Sequence, residues 1–203
     1  MSKTMDKREF FDSMAADWDG HPEPEDASAK RAQFVALATE GRPSRILDVG
    51  CGTGILVPDI LVQCPSSTIV ELDFAAEMIA RNQAKHGQPN VLFVCSSIEE
   101  ALLDPESFDA VLCFNTIPHF DSLDASLRKL VQLLRPGGRL SVGHLMGSAE
   151  LNAFHAGVEG PVHCDHLPPV EKLASLLRLL HLRVQIAEER PDWYFLRAER
   201  PVK

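Results

Sequence analysis

The chain has 203 residues, 45% of them apolar and 24% charged, with a formal net charge of −9. That length supports one sizeable core with little room for a second domain. The acidic balance and the lack of any Lys/Arg cluster argue against nucleic-acid and anionic-membrane partners. No apolar run approaches bilayer length, and MSKTMDKREF has no hydrophobic core of the signal-peptide kind. The five scattered cysteines form no CxxC pair and read as reduced thiols of a cytoplasmic protein.

In chain order, residues 1–40 look helical at both ends, with an acidic, proline-containing break at HPEPED. From Arg45 onward, β-type runs alternate with helical ones: RILDV, TIVELD, VLFV, FDAVLCF and RLSVGH, then RVQIAEE and WYFLRAE. The segment 121–134 has a helical stripe of Leu123, Leu127, Leu130, Val131 and Leu134, stopped by Pro136-Gly137-Gly138. Residues 170–180 repeat the pattern with Leu173, Leu176, Leu177 and Leu180. Apolar strands alternating with helices predict an α/β fold, a doubly wound sheet of about seven strands with helices on both faces. The last two runs lie a hairpin length apart around Arg190-Pro191-Asp192, so the mostly parallel sheet should end in an antiparallel strand. Residues 144–169 interrupt the alternation with Gly, Pro and four of the eight histidines. Ligands of open α/β sheets sit beyond the carboxyl ends of the strands, which is the edge that this segment and residues 1–40 would serve.

ILDVGCGTG places three glycines at alternating positions between the first strand and a helix expected over 55–63. Backbone N–H groups and the positive end of the helix dipole face whatever lies above such a loop. A P-loop, GxxxxGK[ST], fails here because Ile55 stands where its second glycine belongs. The dinucleotide spacing GxGxxG fails at the same residue. The spacing is GxGxG, preceded by the carboxylate of Asp48, which suits a ligand with an ammonium group better than a pyrophosphate. Asp73 closes TIVELD, where a carboxylate can accept hydrogen bonds from ribose hydroxyls. An ammonium at Asp48 and a ribose at Asp73 together describe S-adenosylmethionine.

ILDVGCGTG resembles motif I of class I S-adenosylmethionine-dependent methyltransferases, of the small-molecule, type 11-like kind. ELDFAAEMIARNQAK, VLFVCSSIEE, FDAVLCFNTIPHF and LLRPGGRLSVGH are similar to the segments that follow it, so the likeness runs over roughly residues 45–145. It implies a single Rossmann-like domain over 1–203, with an N-terminal helical lid over 1–40 and a cofactor-binding core over 45–145. A substrate-side insertion over 144–169 and a C-terminal helix and strand hairpin over 170–203 complete it. The implied cofactor site is Asp48, Gly50, Cys51, Gly52, Gly54, Asp73, Phe74, Met78, Ser97, Ile98 and Asn115. Ser97 stands where the family usually has an aspartate for the adenine amino group. A hydroxyl can accept that bond without charge assistance.

On the acceptor side, Phe11, Trp18, His119 and His155 are the expected substrate contacts. His144, His163 and His166 are the candidate general bases, since imidazole titrates near neutrality. His163-Cys164-Asp165-His166 also has a spacing that can ligate a divalent metal on a turn. The expected activity is methyl transfer to a small-molecule acceptor, by a monomer or homodimer. The competing readings are a protein that binds the cofactor without methylation and senses a metal through its histidines, and a nicotinamide oxidoreductase.

Overall fold

The structure, a computed structural model, describes residues 5–202; residues 1–4 of the expected lid and Lys203 lie outside the described residues. Seven strands form one sheet in the order β3-β2-β1-β4-β5-β7-β6. They are β1 (Arg45–Val49), β2 (Thr68–Asp73), β3 (Val91–Cys95), β4 (Phe108–Phe114), β5 (Leu134–His144), β6 (Arg183–Arg190) and β7 (Trp193–Glu199). Strand β7 runs antiparallel to both β5 and β6, and the other pairings are parallel. The hairpin therefore inserts its second strand beside β5 and leaves β6 at the edge. Strand β5 begins five residues earlier than its apolar pattern suggests. Leu134 pairs with Phe108, and a bulge absorbs the Pro-Gly-Gly turn before pairing resumes at Arg139.

The helices are α1 (Lys7–Met14), α2 (Ala27–Ala38), α3 (Val57–Gln63), α4 (Ala76–Lys85), α5 (Leu123–Leu133), α6 (Ser148–Gly157) and α7 (Val170–Leu179). Alternation along each strand divides the core in two. Leu47, Val49, Val70 and Leu72 pack towards α5 and α7, where Leu127, Leu130, Leu173 and Leu177 are fully buried. Ile46 and Ile69 face Phe34 and Val35 of α2 and Val57 and Ile60 of α3. Asp48, Glu71 and Asp73 fall on this second face by the same period of two. A carboxylate cluster thus lies on a face that otherwise holds apolar side chains. Among the described residues no helix is long and apolar enough to cross a membrane.

Local sequence explains the two helices nearest the site. In α1, Asp6 accepts from the Glu9 N–H at 2.8 Å while the Glu9 carboxylate accepts from the Asp6 N–H, a capping box. Helix α4 has no side-chain cap at its own N-cap residue, Ala75. Asp12 of α1 takes that place, accepting from the Glu77 N–H at 2.9 Å. One helix therefore caps the other, and α1 is fixed over the carboxyl edge of β2.

Candidate active site

The three loop glycines do different work. Gly50, Gly52 and Gly54 all have positive φ, at 68°, 53° and 85°. A Cβ on Gly50 would lie 2.0 Å from Thr116 Oγ1, and one on Gly54 would lie 2.2 Å from Asn82 Oδ1. Both are excluded by the protein's own packing. Only Gly52 opens outward, where the nearest atom to an added Cβ is Trp18 Nε1 at 3.8 Å. Close approach by a ligand is therefore needed at one glycine, not three.

Beneath the loop lies a group of carboxylates. Asp48 and Glu71 are direct cross-strand neighbours, and each is at most 1% exposed. Burial first, then the charges of Glu71 and Asp73, push Asp48 well above the usual carboxylate range. Glu71 is pushed up by burial and by Asp73, against hydrogen bonds from Asn82 and Cys51. Like charges at adjacent positions in a dry site cannot both persist, so the pair holds a proton at neutral pH. Asn82 Nδ2 donates to Glu71 Oε2 at 2.8 Å, but Asp48 Oδ2 and Glu71 Oε1 have no partner among the described residues. Asp73 is better satisfied: Gly52 N–H donates to Oδ2 and Ala75 N–H to Oδ1, both at 2.9 Å. Burial and the surrounding carboxylates push the Cys51 thiol up, which makes it an inert packing group.

The N-terminal segment covers this group. Phe11 and Met78 pack with Ala15, Ala75 and Val162 in a small separate cluster. The Phe11 ring meets Phe74 and Trp18 edge-on, each at 5.7 Å between centroids. Polar anchors frame the plug. Thr53 Oγ1 of the glycine loop donates to Asp19 Oδ1 at 2.5 Å, and Lys85 Nζ reaches Asp19 Oδ2 at 2.8 Å. Lys7 Nζ pairs with Asp165 Oδ1 at 2.6 Å. Trp18 lies on a separate turn, Trp18–Gly20, beside Gly52, and Phe11 on α1 packs against Phe74, while Asp12, Asp19 and Lys7 make the anchoring contacts.

The histidines do not converge as the sequence suggested. His144, at the end of β5, is 1% exposed, with its ring edge-on to Tyr194 and its Nε2 unpartnered. Burial, with His119 and His155 nearby, pushes it down to about 3, so it is neutral and sealed from any acceptor. His163 is exposed and bonds the Val158 carbonyl, while His166 is exposed beside Asn152. Among the described residues no three His, Cys, Asp or Glu side chains form a group that could hold a metal. The expected metal site at His163-Cys164-Asp165-His166 is thus corrected: Asp165 turns inward, to 8% exposure, and His163 and His166 turn to solvent.

The histidine that does face the covered edge is His119, on the single turn Ile117–His119 after β4. Its Nδ1 lies 2.6 Å from Asp165 Oδ2, and its ring centroid 5.1 Å from that of Phe11. His155 lies on its other side at 5.3 Å, held by a 3.0 Å contact from Nδ1 to the Asp165 carbonyl. Burial pushes Asp165 up, but the hydrogen bonds from His119 and Lys7 prevail and hold it below its ordinary value. Asn115 adopts φ 53° and accepts from the Leu145 N–H at 3.4 Å, joining the ends of β4 and β5. Ser97 accepts from the Glu100 N–H at 3.3 Å, and Ile98 buries its side chain in the core.

Sequence reasoning missed Glu71, Asn82, Thr116 and Lys7. Glu71 was legible as the second charge in an otherwise apolar strand. The other three become significant only through contacts across the fold.

With this geometry in hand, comparison places the chain among known proteins. The family described as "Methyltransferase domain" matches residues 47–142. The ubiquinone biosynthesis O-methyltransferase of Xanthomonas euvesicatoria is 30% identical over 164 residues, covering 78% of this chain and 68% of that protein. The malonyl-[acyl-carrier protein] O-methyltransferase of Acetivibrio thermocellus is 34% identical over 141 residues, 68% of this chain; the chain spans about half of that relative, 49%. Among solved structures, the N-methyltransferase NodS of Bradyrhizobium japonicum, in complex with S-adenosyl-L-homocysteine, superposes with a TM-score of 0.77 at 16% identity. That likeness covers 97% of this chain and 100% of the other. The sheet order, the GxGxG loop and the relatedness together make this chain a member of the class I S-adenosylmethionine-dependent methyltransferases.

Proposed function

We propose that the protein transfers a methyl group from S-adenosylmethionine to a small-molecule acceptor. The carrying observation is that Asp73 accepts from Gly52, the loop glycine that opens outward, while the nearby buried Asp48 keeps an oxygen unsatisfied among the described residues. The residues fit the cofactor: a buried carboxylate oxygen without a partner, Asp48 Oδ2, is a receptor for an ammonium group. Asp73 keeps lone pairs for ribose hydroxyls while two backbone N–H groups hold it in place. Phe74 and Met78 supply apolar walls for the adenine, and Ser97 and Ile98 lie on the turn where its amino edge would be read.

When bound, the sulfonium supplies an electrophilic methyl whose leaving group departs neutral, so no developing anion needs a hole. The chain's own residues align and dry the site. Asp48 and Asp73 fix the two ends of the cofactor, and Gly50 and Gly54 let Thr116 and Asn82 brace the loop between them. Residues 5–40 act as a lid, with Phe11 and Trp18 as its apolar underside and Asp19 as its latch on Thr53. Residues 144–169 form the acceptor side.

Thermal unfolding and calorimetric titration with S-adenosylmethionine, S-adenosylhomocysteine and NAD test the reading. A ligand at a hundred times its dissociation constant adds about 2.7 kcal/mol, which moves the midpoint by roughly 5–10 °C for a domain of this size. Both adenosyl ligands should give that shift and NAD none. Silence from both, or a response to NAD alone, rejects the proposal.

A further inference from the structure

At one level of the sheet the residues run Phe93 of β3, Glu71 of β2, Asp48 of β1 and Leu112 of β4. Two carboxylates thus stand side by side with an apolar residue at each end. Both are sealed, Glu71 at 0% and Asp48 at 1% exposure. Glu71 Oε1, Asp48 Oδ2 and Asn82 Oδ1 are buried acceptors without a hydrogen-bond partner among the described residues. The titratable groups facing the pair are Asp73 at the end of β2, the Cys51 thiol of the loop and the Cys113 thiol of β4. His86, which lies beside Gly54 with Asn82, is pushed down by burial first and then by Lys85, so it is neutral at pH 7. None of these groups brings the pair a positive charge. Glu71 is also tied to the glycine loop. Asn82 Nδ2 donates to its Oε2 at 2.8 Å and lies 3.4 Å from Cys51 Sγ, while Asn82 Oδ1 fills the space beside Gly54.

Resting on the methyltransferase reading above, we propose that Glu71 shares a proton with Asp48 in the ligand-free protein, and that the ammonium group of the cofactor expels this proton when it binds. Glu71 acts through Asp48 and is a positioning residue: its like charge keeps the proton in place until the ammonium arrives. In the step, the shared O–H bond breaks, the bonding pair stays on the carboxylate oxygen and the proton leaves to solvent. One positive charge replaces another, so the dry site never holds two uncompensated carboxylates. Burial raises the Glu71 carboxyl to about 7 against hydrogen bonds from Asn82 and Cys51, so the proton is exchangeable near neutrality. The arrangement selects for a nucleoside with an amino-acid end, because a ligand without an ammonium leaves the proton where it is. The bound state holds fewer protons than the free one, so affinity for an ammonium-bearing ligand rises with pH until the pair has titrated.

Calorimetric titration of the full chain at pH 6.5, in PIPES and in imidazole buffer, counts the protons released, since the two buffers take up a proton with different enthalpies. S-adenosylhomocysteine, whose amino group is protonated at that pH, should release about one proton, and its affinity should rise about tenfold from pH 5.5 to pH 6.5. 5′-Methylthioadenosine, which lacks the amino-acid end, should bind with no release and with an affinity that pH does not change. Glu71→Gln keeps an acceptor for Asn82 and should cut the release on S-adenosylhomocysteine binding to less than about half. Binding of S-adenosylhomocysteine without net proton exchange, equal release by both ligands, or full release in Glu71→Gln would each overturn the assignment. Failure of the unaltered chain to bind S-adenosylhomocysteine at all would instead overturn the methyltransferase reading itself.

Discussion

The carboxyl edge of the sheet has two halves built in opposite electrostatic states. Over β1 and β2, Asp48 and Glu71 are crowded together in the dry interior, each with an oxygen that nothing among the described residues satisfies. Over β4 and β5, Asp165 is also nearly buried, but it has both a lysine and a histidine within 2.6 Å. The first half leaves carboxylate oxygens unsatisfied among the described residues. The second has its carboxylate satisfied by two cationic or imidazole partners. The two ends of one edge thus treat buried negative charge in opposite ways.

The largest expected effect separates the loop's structural glycines from its ligand-facing one. Gly54→Ala forces a methyl into the Asn82 amide and adds left-handed strain, as Gly50→Ala does against Thr116. Each should cost about 3 kcal/mol of stability by urea denaturation. Gly52→Ala meets no such neighbour and should cost about 1 kcal/mol, for its positive φ alone. Equal losses at all three positions would mean that the loop is a single packed unit with no open face.

Asp48→Asn tests the unsatisfied half directly. Cofactor affinity should fall by about a hundredfold, the value of a charge-assisted bond to an ammonium. The ligand-free protein should meanwhile be more stable than the parent at pH 8. The sign follows from the raised carboxyl. In the unfolded chain the group ionises above about pH 4, but in the fold it resists ionisation. Stability is therefore fully present below pH 4 and declines as pH rises. The gain from Asn should accordingly vanish near pH 4. A variant that is equally stabilised at both pH values would show that Asp48 is not strained.

The fold was legible because its signals are local. Strand runs, the α5 stripe and the short hairpin each depend on residues close in sequence. Asp48 and Asp73 were legible because strand period and strand end fix where they point. The acceptor half was not. His144 reads as a strand-end histidine no different from an available base, and only its packing under Tyr194 shows it to be sealed. His119 gains its partner from 46 residues downstream, and Asp165 was hidden between two more conspicuous histidines that face solvent. Chemistry assembled across the chain leaves no spacing to read.

His144→Phe sharpens the contrast between a histidine in the core and one in the site. In the unfolded chain His144 takes a proton below about pH 6.5, while in the fold it holds out to about 3. Stability is therefore lost as pH falls through that window, by about 2 kcal/mol at pH 5. Phenylalanine keeps a ring against Tyr194 without a titrating group. The stability difference between variant and parent should move about 2 kcal/mol in the variant's favour between pH 7 and pH 5. Methyl transfer should be unchanged at pH 7.5. Loss of transfer in a stably folded variant would return His144 to the reaction.

The smallest effect probes the link between the N-terminal segment and His119. Lys7 reaches Asp165 Oδ1 and, at 3.4 Å, the His119 carbonyl. The charged groups facing the His119 imidazole are Lys7 from α1, Asp165 from the loop after α6 and Asp73 from β2. His155 of α6 and His144 of β5 are the neighbouring imidazoles. Lys7→Met should loosen the N-terminal helix from Asp165 and lower methyl transfer severalfold, whereas Lys7→Arg keeps it. Equal activity in both variants would reduce Lys7 to a surface anchor. A loss confined to Lys7→Met would mean that docking the N-terminal helix supports the chemistry beneath it.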